Sequence, residues 1–249
     1  MTYVIAEIGS NHDGDFAQAQ RLIREAWSAG ANAVKFQCLP SLPMEWMPLL
    51  KVCADSFFLE CFATPFDISA VNYLANLGVP YIKIASAEIL NLDLIRAAAA
   101  TEIPLLISTG MASLAEIDEA LIAAHGFATG ATLLQCTSEY PARADHVNLR
   151  VLQTLRDKFG LPVGLSDHSE STAIPAAAVA LGATVIEKHI TLDHTAAGPD
   201  HKFALEPREF GLMVDGIRAV EQALGDGRKE GPVDGEMVEI RGRRLTWLT

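Results

Sequence analysis

Positive charge is in short supply in this chain. Nineteen Lys and Arg stand against 31 Asp and Glu, a formal net charge of −12. Such a balance argues against nucleic-acid phosphates or an anionic membrane surface as partners. It leaves room for a small anionic ligand, because a few local lysines outweigh a global field. Cysteine is scarce too: Cys38, Cys53, Cys61 and Cys136 form no CxxC pair, and the last two fall in apolar runs. Buried thiols in a reducing cytoplasm are expected. No apolar run is long enough to span a bilayer; the longest, 174–186, is interrupted by Gly182 and Thr184. The opening MTYVIAEIGS has no basic start, no long apolar stretch and no small-residue cleavage site, so no secretory signal is expected. Neither a GxGxxG after the first apolar run nor a Walker loop is present.

What is present is regular alternation. Half of the 249 residues are hydrophobic, enough to bury a sizeable core in one large domain. Eight short apolar runs, at 3–8, 33–37, 57–63, 81–86, 104–108, 131–136, 161–166 and 183–188, have the continuous, β-branched character of doubly buried parallel strands. Amphipathic stretches lie between them, at 16–29, 68–77, 92–100, 114–124, 149–159, 172–181 and 207–224. The second helix is the weak member, since only 44–54 is available and Pro48 falls inside it. Eight β-then-α units predict a (β/α)8 TIM barrel over 1–224, one α/β domain. The count of eight disfavours an open doubly wound sheet. A polar, Gly-rich tail, 225–249, follows and carries Arg241, Arg243 and Arg244.

In such a barrel the chemistry sits at the C-terminal ends of the strands. Lys35 and Lys83 are anomalous there, because each lies inside an apolar run where a buried ammonium is costly without an anionic partner. They either pair with a strand carboxylate such as Glu7 or Glu88, or grip a phosphate or carboxylate ligand. Hydroxyls at Thr64, Ser86, Ser108 and Ser166 would help in the second case. His168 and His189 stand at the exits of runs seven and eight. Adjacent strands run about 4.8 Å apart, so two imidazoles there can meet on one divalent ion such as Mn, Fe, Co or Zn. The plainer alternative makes SDHSE a helix cap, by Asp167 or Ser169, and His189 an ordinary hydrogen-bonded histidine. Gly198-Pro199 forms a turn presenting Asp200 over the barrel mouth. Glu7, Glu88 and Glu139 leave carboxylate-pair glycoside cleavage open, and Lys83 or Lys188 a Schiff-base aldolase. Neither explains a histidine pair and several hydroxyls together.

The run AEIGSNHDGDFAQAQRLIREAWSAGANAVKFQ resembles the opening of the sialic acid synthase family. The resemblance continues through FATPFD, YIKIASAEI, PLLISTGMAS, LLQCTSEYP, VGLSDHS, VIEKHIT and GPDHKFALEP, in order along nearly the whole chain. It implies a (β/α)8 barrel that condenses phosphoenolpyruvate with an N-acyl hexosamine, or a related aldose, to give a nonulosonic acid such as N-acetylneuraminate. It assigns phosphoenolpyruvate to Lys35, Thr64, Lys83, Ser86, Ser108, Ser138 and Ser166, although some members have Asn where Ser138 stands. It assigns a divalent metal, Mn2+ with Mg2+ or Co2+ as alternatives, to His168 and His189. Glu7 becomes the carboxylate that handles the water or proton, and Gln37, Glu88, Tyr140 and Asp200 contact the sugar. Two departures stand out. The segment 38–56 is shorter than usual and lacks the family's sugar-contacting Asn. The resemblance also stops at RGRRLTWLT, so no antifreeze-like domain is expected. Both departures concern the acceptor. The rival to an enzyme is a barrel that binds a sugar acid or a partner protein without turnover. A homodimer would use barrel surface, including apolar Leu42, Met44, Trp46 and Met47.

Overall fold

A computed structural model describes residues 1–124 and 130–229. Arg241, Arg243 and Arg244 of the tail lie outside the described residues. Eight parallel strands close into a barrel in chain order: β1 Tyr3–Gly9, β2 Ala33–Gln37, β3 Glu60–Thr64, β4 Ile82–Ile84, β5 Leu105–Ser108, β6 Ala131–Cys136, β7 Val163–Asp167 and β8 Val185–His189. The helices between and after them are α1 Phe16–Ser28, α2 Trp46–Asp55, α3 Ile68–Leu77, α4 Leu92–Ala99, α5 Leu114–Ala124, α6 Val151–Phe159, α7 Ala173–Ala180 and α8 Pro207–Leu224. This is the expected (β/α)8 barrel, and among the described residues no helix is long and apolar enough to cross a membrane.

Local chemistry explains the element ends. Asp15 caps α1 by accepting from the N–H groups of Ala17 and Gln18 at 2.8 and 3.3 Å. Asp67 caps α3 and Asn91 caps α4 in the same way. Pro48 is harmless because α2 begins at Trp46, which puts the proline in the first turn, where its missing N–H has no partner to lose. Strand β3 starts at Glu60, later than expected, because Phe57 to Leu59 turn back onto the end of α2 through backbone bonds to Ala54 and Asp55. Leu42 and Met47 are buried, and Met44 and Trp46 pack against the core, so this short segment covers the barrel wall.

Below the strand exits the interior is apolar. Ile5, Phe62, Leu106, Leu134 and Val185 are buried there, and Gly164 of β7 faces them. A Cβ at Gly164 would stand 2.4 Å from the Val185 carbonyl oxygen and 2.7 Å from Leu134 Cδ2. The barrel has no room for even one methyl group at this point, and the closest obstacle is backbone that cannot swing aside. Gly164→Ala is expected to destabilise the fold by about 3 kcal/mol, read as a lowered thermal midpoint; an unchanged melting curve would contradict this packing.

Candidate active site

Above the apolar interior, every one of the eight strands contributes a polar side chain to a single cavity, namely Glu7, Lys35, Thr64, Lys83, Ser108, Cys136, Ser166 and Glu187, and β2 and β8 add a second, Gln37 and His189. The cavity has a volume of about 410 Å3. Its floor is an ionic network. Lys35 Nζ lies 2.8 Å from Glu7 Oε2 and donates to Thr64 Oγ1 at 2.8 Å. Lys83 Nζ donates to Ser108 Oγ at 2.7 Å. Glu187 Oε1 sits between the two ammonium groups, 3.8 Å from Lys35 and 3.7 Å from Lys83, and accepts from Ser166 Oγ at 3.0 Å. Gln37 Nε2 donates to the other oxygen of Glu7 at 2.8 Å. Each lysine is therefore matched by a carboxylate, and each also lines the cavity.

This burial sets the protonation states. Desolvation, only partly offset by Lys35 and reinforced by Glu187, pushes the Glu7 carboxyl up to about 7. Burial also acts on Glu187, but the two lysines outweigh it and hold that carboxyl below its ordinary value. Burial lowers the Lys83 ammonium. For Lys35 burial is overcome by Glu187 and Glu7, which raise it.

The histidines stand over one side of this floor. The ladder between β7 and β8 ends at Asp167 opposite Lys188, which places His168 and His189 side by side with ring centroids 5.4 Å apart. Burial, reinforced by His168 and the lysines, lowers His189 well below the ordinary histidine value, so its ring is neutral. Its Nδ1 is buried without a hydrogen-bond partner, 3.8 Å from Asp200 Oδ2. His168 Nδ1 bonds the Thr137 carbonyl oxygen at 2.9 Å and lies 3.8 Å from Cys136 Sγ. Burial opposes protonation of His168, but Cys136 and Thr137 raise it; the same contact lowers the Cys136 thiol against its own burial. An unpartnered ring nitrogen on one neutral imidazole, and a second imidazole anchored through its far nitrogen, suit a metal whose other positions are left to solvent or ligand. Among the described residues no cluster of three or more His, Cys, Asp or Glu forms a closed cage.

At the mouth, Asp200 Oδ2 accepts from Ser10 Oγ at 3.0 Å. Gly9 adopts φ +54°, and a Cβ there would crowd Asp200, Glu7 and Gln37 at 3.1–3.5 Å, so this glycine lets the three polar groups converge. Gly110 does the same for Ser86 and Ser138, whose hydroxyls would lie 2.8 and 2.5 Å from an added Cβ. Tyr140 packs on His168, its ring centroid 4.4 Å away. Phe203 packs against Tyr140 and both histidines.

The structure brings Glu7, Lys35, Gln37, Thr64, Lys83, Ser86, Ser108, Ser138, Tyr140, Ser166, His168, His189 and Asp200 to one cavity. Glu88 is not among its lining residues; it sits in the short helical turn Ser86–Glu88 and accepts from Asn91 Nδ2 at 2.8 Å. Two polar lining residues were given no role in the sequence reading, Glu187 and Cys136. Glu187 shares strand parity with His189, which was the available signal, and Cys136 was hidden by its apolar run. Lys188 lies outside the cavity, paired with Asp167 at 2.6 Å, so it cannot form a Schiff base there. Ser171, not Asp167 or Ser169, accepts from the first N–H groups of α7, those of Ala173 and Ile174.

A group whose folded-state pKa is raised retains its proton in the folded state over the interval between its ordinary and folded values. The stability Glu7 contributes is then full below its ordinary pKa of 4.5 and is lost as pH rises to about 7. In the metal-free protein, Glu7→Gln is expected to gain on wild type by roughly 2–3 kcal/mol between pH 4.5 and 8. Denaturant melts at the two pH values measure this; a difference that does not change with pH would contradict it.

The sequence profile of the NeuB family matches residues 39–229. The chain is 40% identical over 264 aligned positions to the N,N'-diacetyllegionaminic acid synthase of Campylobacter jejuni, covering 92% of this chain and 79% of that one. It is 34% identical to the human N-acetylneuraminate-9-phosphate synthase, covering 92% of this chain and 72% of the relative. The crystal structure of N-acetylneuraminic acid synthetase from Leptospira borgpetersenii, in complex with citrate, superposes with a TM-score of 0.90 at 37% identity, over 100% of this chain and 93% of that one. With a family match across most of its length and relatives that share the same barrel, the chain belongs to the NeuB family.

Proposed function

We propose that the protein is a synthase that joins phosphoenolpyruvate to an uncharged N-acyl hexosamine or related aldose, giving a nonulosonic acid and phosphate. The observation that carries this reading is the polar ring with two lysines at its floor. Lys35 and Lys83, with the hydroxyls of Thr64, Ser86, Ser108, Ser138 and Ser166, form side-chain capture for a small ligand bearing phosphate and carboxylate. The names of the relatives, which make acidic sugars, support the same class of product.

In this reading carbon three of the donor bonds to the aldehyde carbon. Water adds its oxygen to carbon two, and the bond from that carbon to the phosphate oxygen breaks. Glu7, poised near neutral pH, takes or gives the proton of that water and, when protonated, releases Lys35 to the donor anion. Gln37, Tyr140 and Asp200 orient the acceptor at the mouth. A divalent ion such as Mn2+, held by His168 and His189, would supply Lewis-acid polarisation of the aldehyde when bound.

The charge of the lining supports a neutral acceptor. Among the described lining residues the only ammonium groups are Lys35 and Lys83, both at the floor, while the mouth presents the Asp200 carboxylate. Lys202 of the same loop is exposed and does not line the cavity. A phosphorylated sugar would meet a like charge there and no lysine or arginine among the described lining residues.

Phosphate release from phosphoenolpyruvate, with Mn2+ and a panel of aldoses, tests the proposal; no release with any aldose would leave a binding barrel. Lys83→Met is expected to weaken phosphoenolpyruvate binding by roughly 2–5 kcal/mol, read by calorimetry. N-acetylmannosamine is expected to be used at least about tenfold better, in kcat/KM, than its 6-phosphate. The reverse preference would refute the neutral-acceptor claim while leaving the donor chemistry intact.

A further inference from the structure

Lys188 and Asp167 form a buried ion pair that the proposed chemistry leaves without a task. Both side chains are 1% exposed, they lie 2.6 Å apart, and neither lines the cavity. They occupy opposed positions on β8 and β7. Along each strand the side chains alternate, so Ser166 and Glu187 face inward, this pair faces outward toward the helical layer, and His168 and His189 face inward again. The outward positions one step earlier, beyond the inward residue, are Leu165 and Ile186, both buried and apolar. An apolar pair at 167 and 188 would suit that layer at least as well, because a buried ion pair is commonly no better for stability than a hydrophobic one of similar volume.

The bonds made by the pair show what it holds. Asp167 accepts from the Ser169 N–H with one oxygen and from the Ser169 hydroxyl with the other, both at 3.0 Å. Lys188 donates to the Ser169 carbonyl oxygen and lies 3.4 Å from both the Ser169 hydroxyl and the Ser171 carbonyl oxygen. The residues on both sides of His168 are therefore tied to the residue that precedes His189. Two more bonds pin the same backbone: Ala142 N–H donates to the His168 carbonyl at 2.9 Å, and Leu205 N–H to the His189 carbonyl at 3.0 Å.

We infer that the Asp167–Lys188 pair is a positioning strut that fixes the separation of the His168 and His189 imidazoles and thereby sets the affinity of the pair for a divalent cation. The inference rests on the proposed metal reading of the two histidines. Neither strut residue touches the cation or the substrates; both act through the backbone of the loop that carries His168.

Mn2+ binding to the full chain, measured by electron paramagnetic resonance of the free ion, tests the strut without recourse to activity. The variants are Lys188→Met, Asp167→Asn, the apolar double variant Asp167→Leu/Lys188→Met, and His189→Ala as reference. The double variant leaves no unpaired buried charge; losing the bonds to Ser169, it is expected to melt cooperatively but below wild type. Its Mn2+ affinity is expected to fall roughly 10–100-fold, with phosphoenolpyruvate affinity measured without metal unchanged within about twofold. Lys188→Arg, which keeps the charge, should retain more Mn2+ affinity than Lys188→Met. Wild-type Mn2+ affinity in the folded double variant would overturn the strut while leaving the histidine site standing. Equal Mn2+ binding by wild type and His189→Ala would remove the metal reading, and the strut with it.

Discussion

Lys35 and Lys83 stand on strands that are otherwise apolar, and neither is tolerable there without Glu7 and Glu187. Moving an unpaired ion into a protein interior costs several kcal/mol even after relaxation. The four charges cancel, and Thr64, Ser108, Ser166 and Gln37 bond to them, although Glu187 Oε2 is left buried without a hydrogen-bond partner. The balance is nonetheless uneven. Glu187 is shared between two ammonium groups and stays ionised, whereas Glu7 is matched by Lys35 and feels Glu187 as a like charge. The same enclosure thus produces one carboxylate that is fixed and one that exchanges its proton near neutrality. Network and ligand site cannot be separated, because whatever binds here must compete with Glu7 and Glu187 for the lysines.

The second half of the cavity is built on different terms. Around the histidines there are few formal charges and many rings: Tyr140, His168, His189 and Phe203 form one aromatic group. Burial in this group, reinforced by His168 and the lysines, keeps His189 neutral. The loop that supplies Phe203 and Asp200 is held from outside by His201, whose ring bonds the Thr191 hydroxyl at 2.6 Å and Asp13 at 2.9 Å. Asp13 belongs to the loop after β1, so the last loop is fastened to the first. An ionic floor, an aromatic side and a clasped rim divide the cavity into regions suited to different parts of a substrate pair.

Much of this was legible in the chain. Eight apolar runs separated by amphipathic stretches specify a closed parallel barrel with little ambiguity, and the charged residues inside those runs mark the strand exits. Lys35 and Lys83 stood out because an ammonium in a doubly buried strand needs an explanation. Glu187 did not, because a glutamate beside a lysine and a histidine in VIEKHIT reads as part of a polar strand end. Its parity with His189 hinted that Glu187 faces inward, and the structure shows it facing the lysines while Lys188 faces the other way. The alternative that made Asp167 a helix cap fails for a related reason: the Asp-X-Ser spacing looks the same whether the carboxylate serves a helix or a cross-strand lysine. Glu88 resembled a ligand-facing residue by its place in YIKIASAEI, but the strand ends at Ile84 and the turn that follows carries Glu88 to Asn91. Cys136 shows the limit of hydropathy, since a thiol in an apolar strand can still face a polar cavity.

The seam between β1 and β8 has a consequence for how the protein comes to have a site at all. Glu7 lies opposite His189 across that seam, so the carboxylate with the raised pKa and one imidazole come from the two ends of the barrel sequence. Every other strand pairing joins neighbours in the chain, and this one alone spans nearly the whole of it. Its closure carries the largest loop entropy and, on topological grounds, belongs late in folding. A chain that has formed its βα units but not this seam has Lys83 and Ser108 in place while Glu7 and His189 stand apart. Half-folded chains would therefore be inert rather than sloppy catalysts, and activity would rise in step with the final closure of the ring.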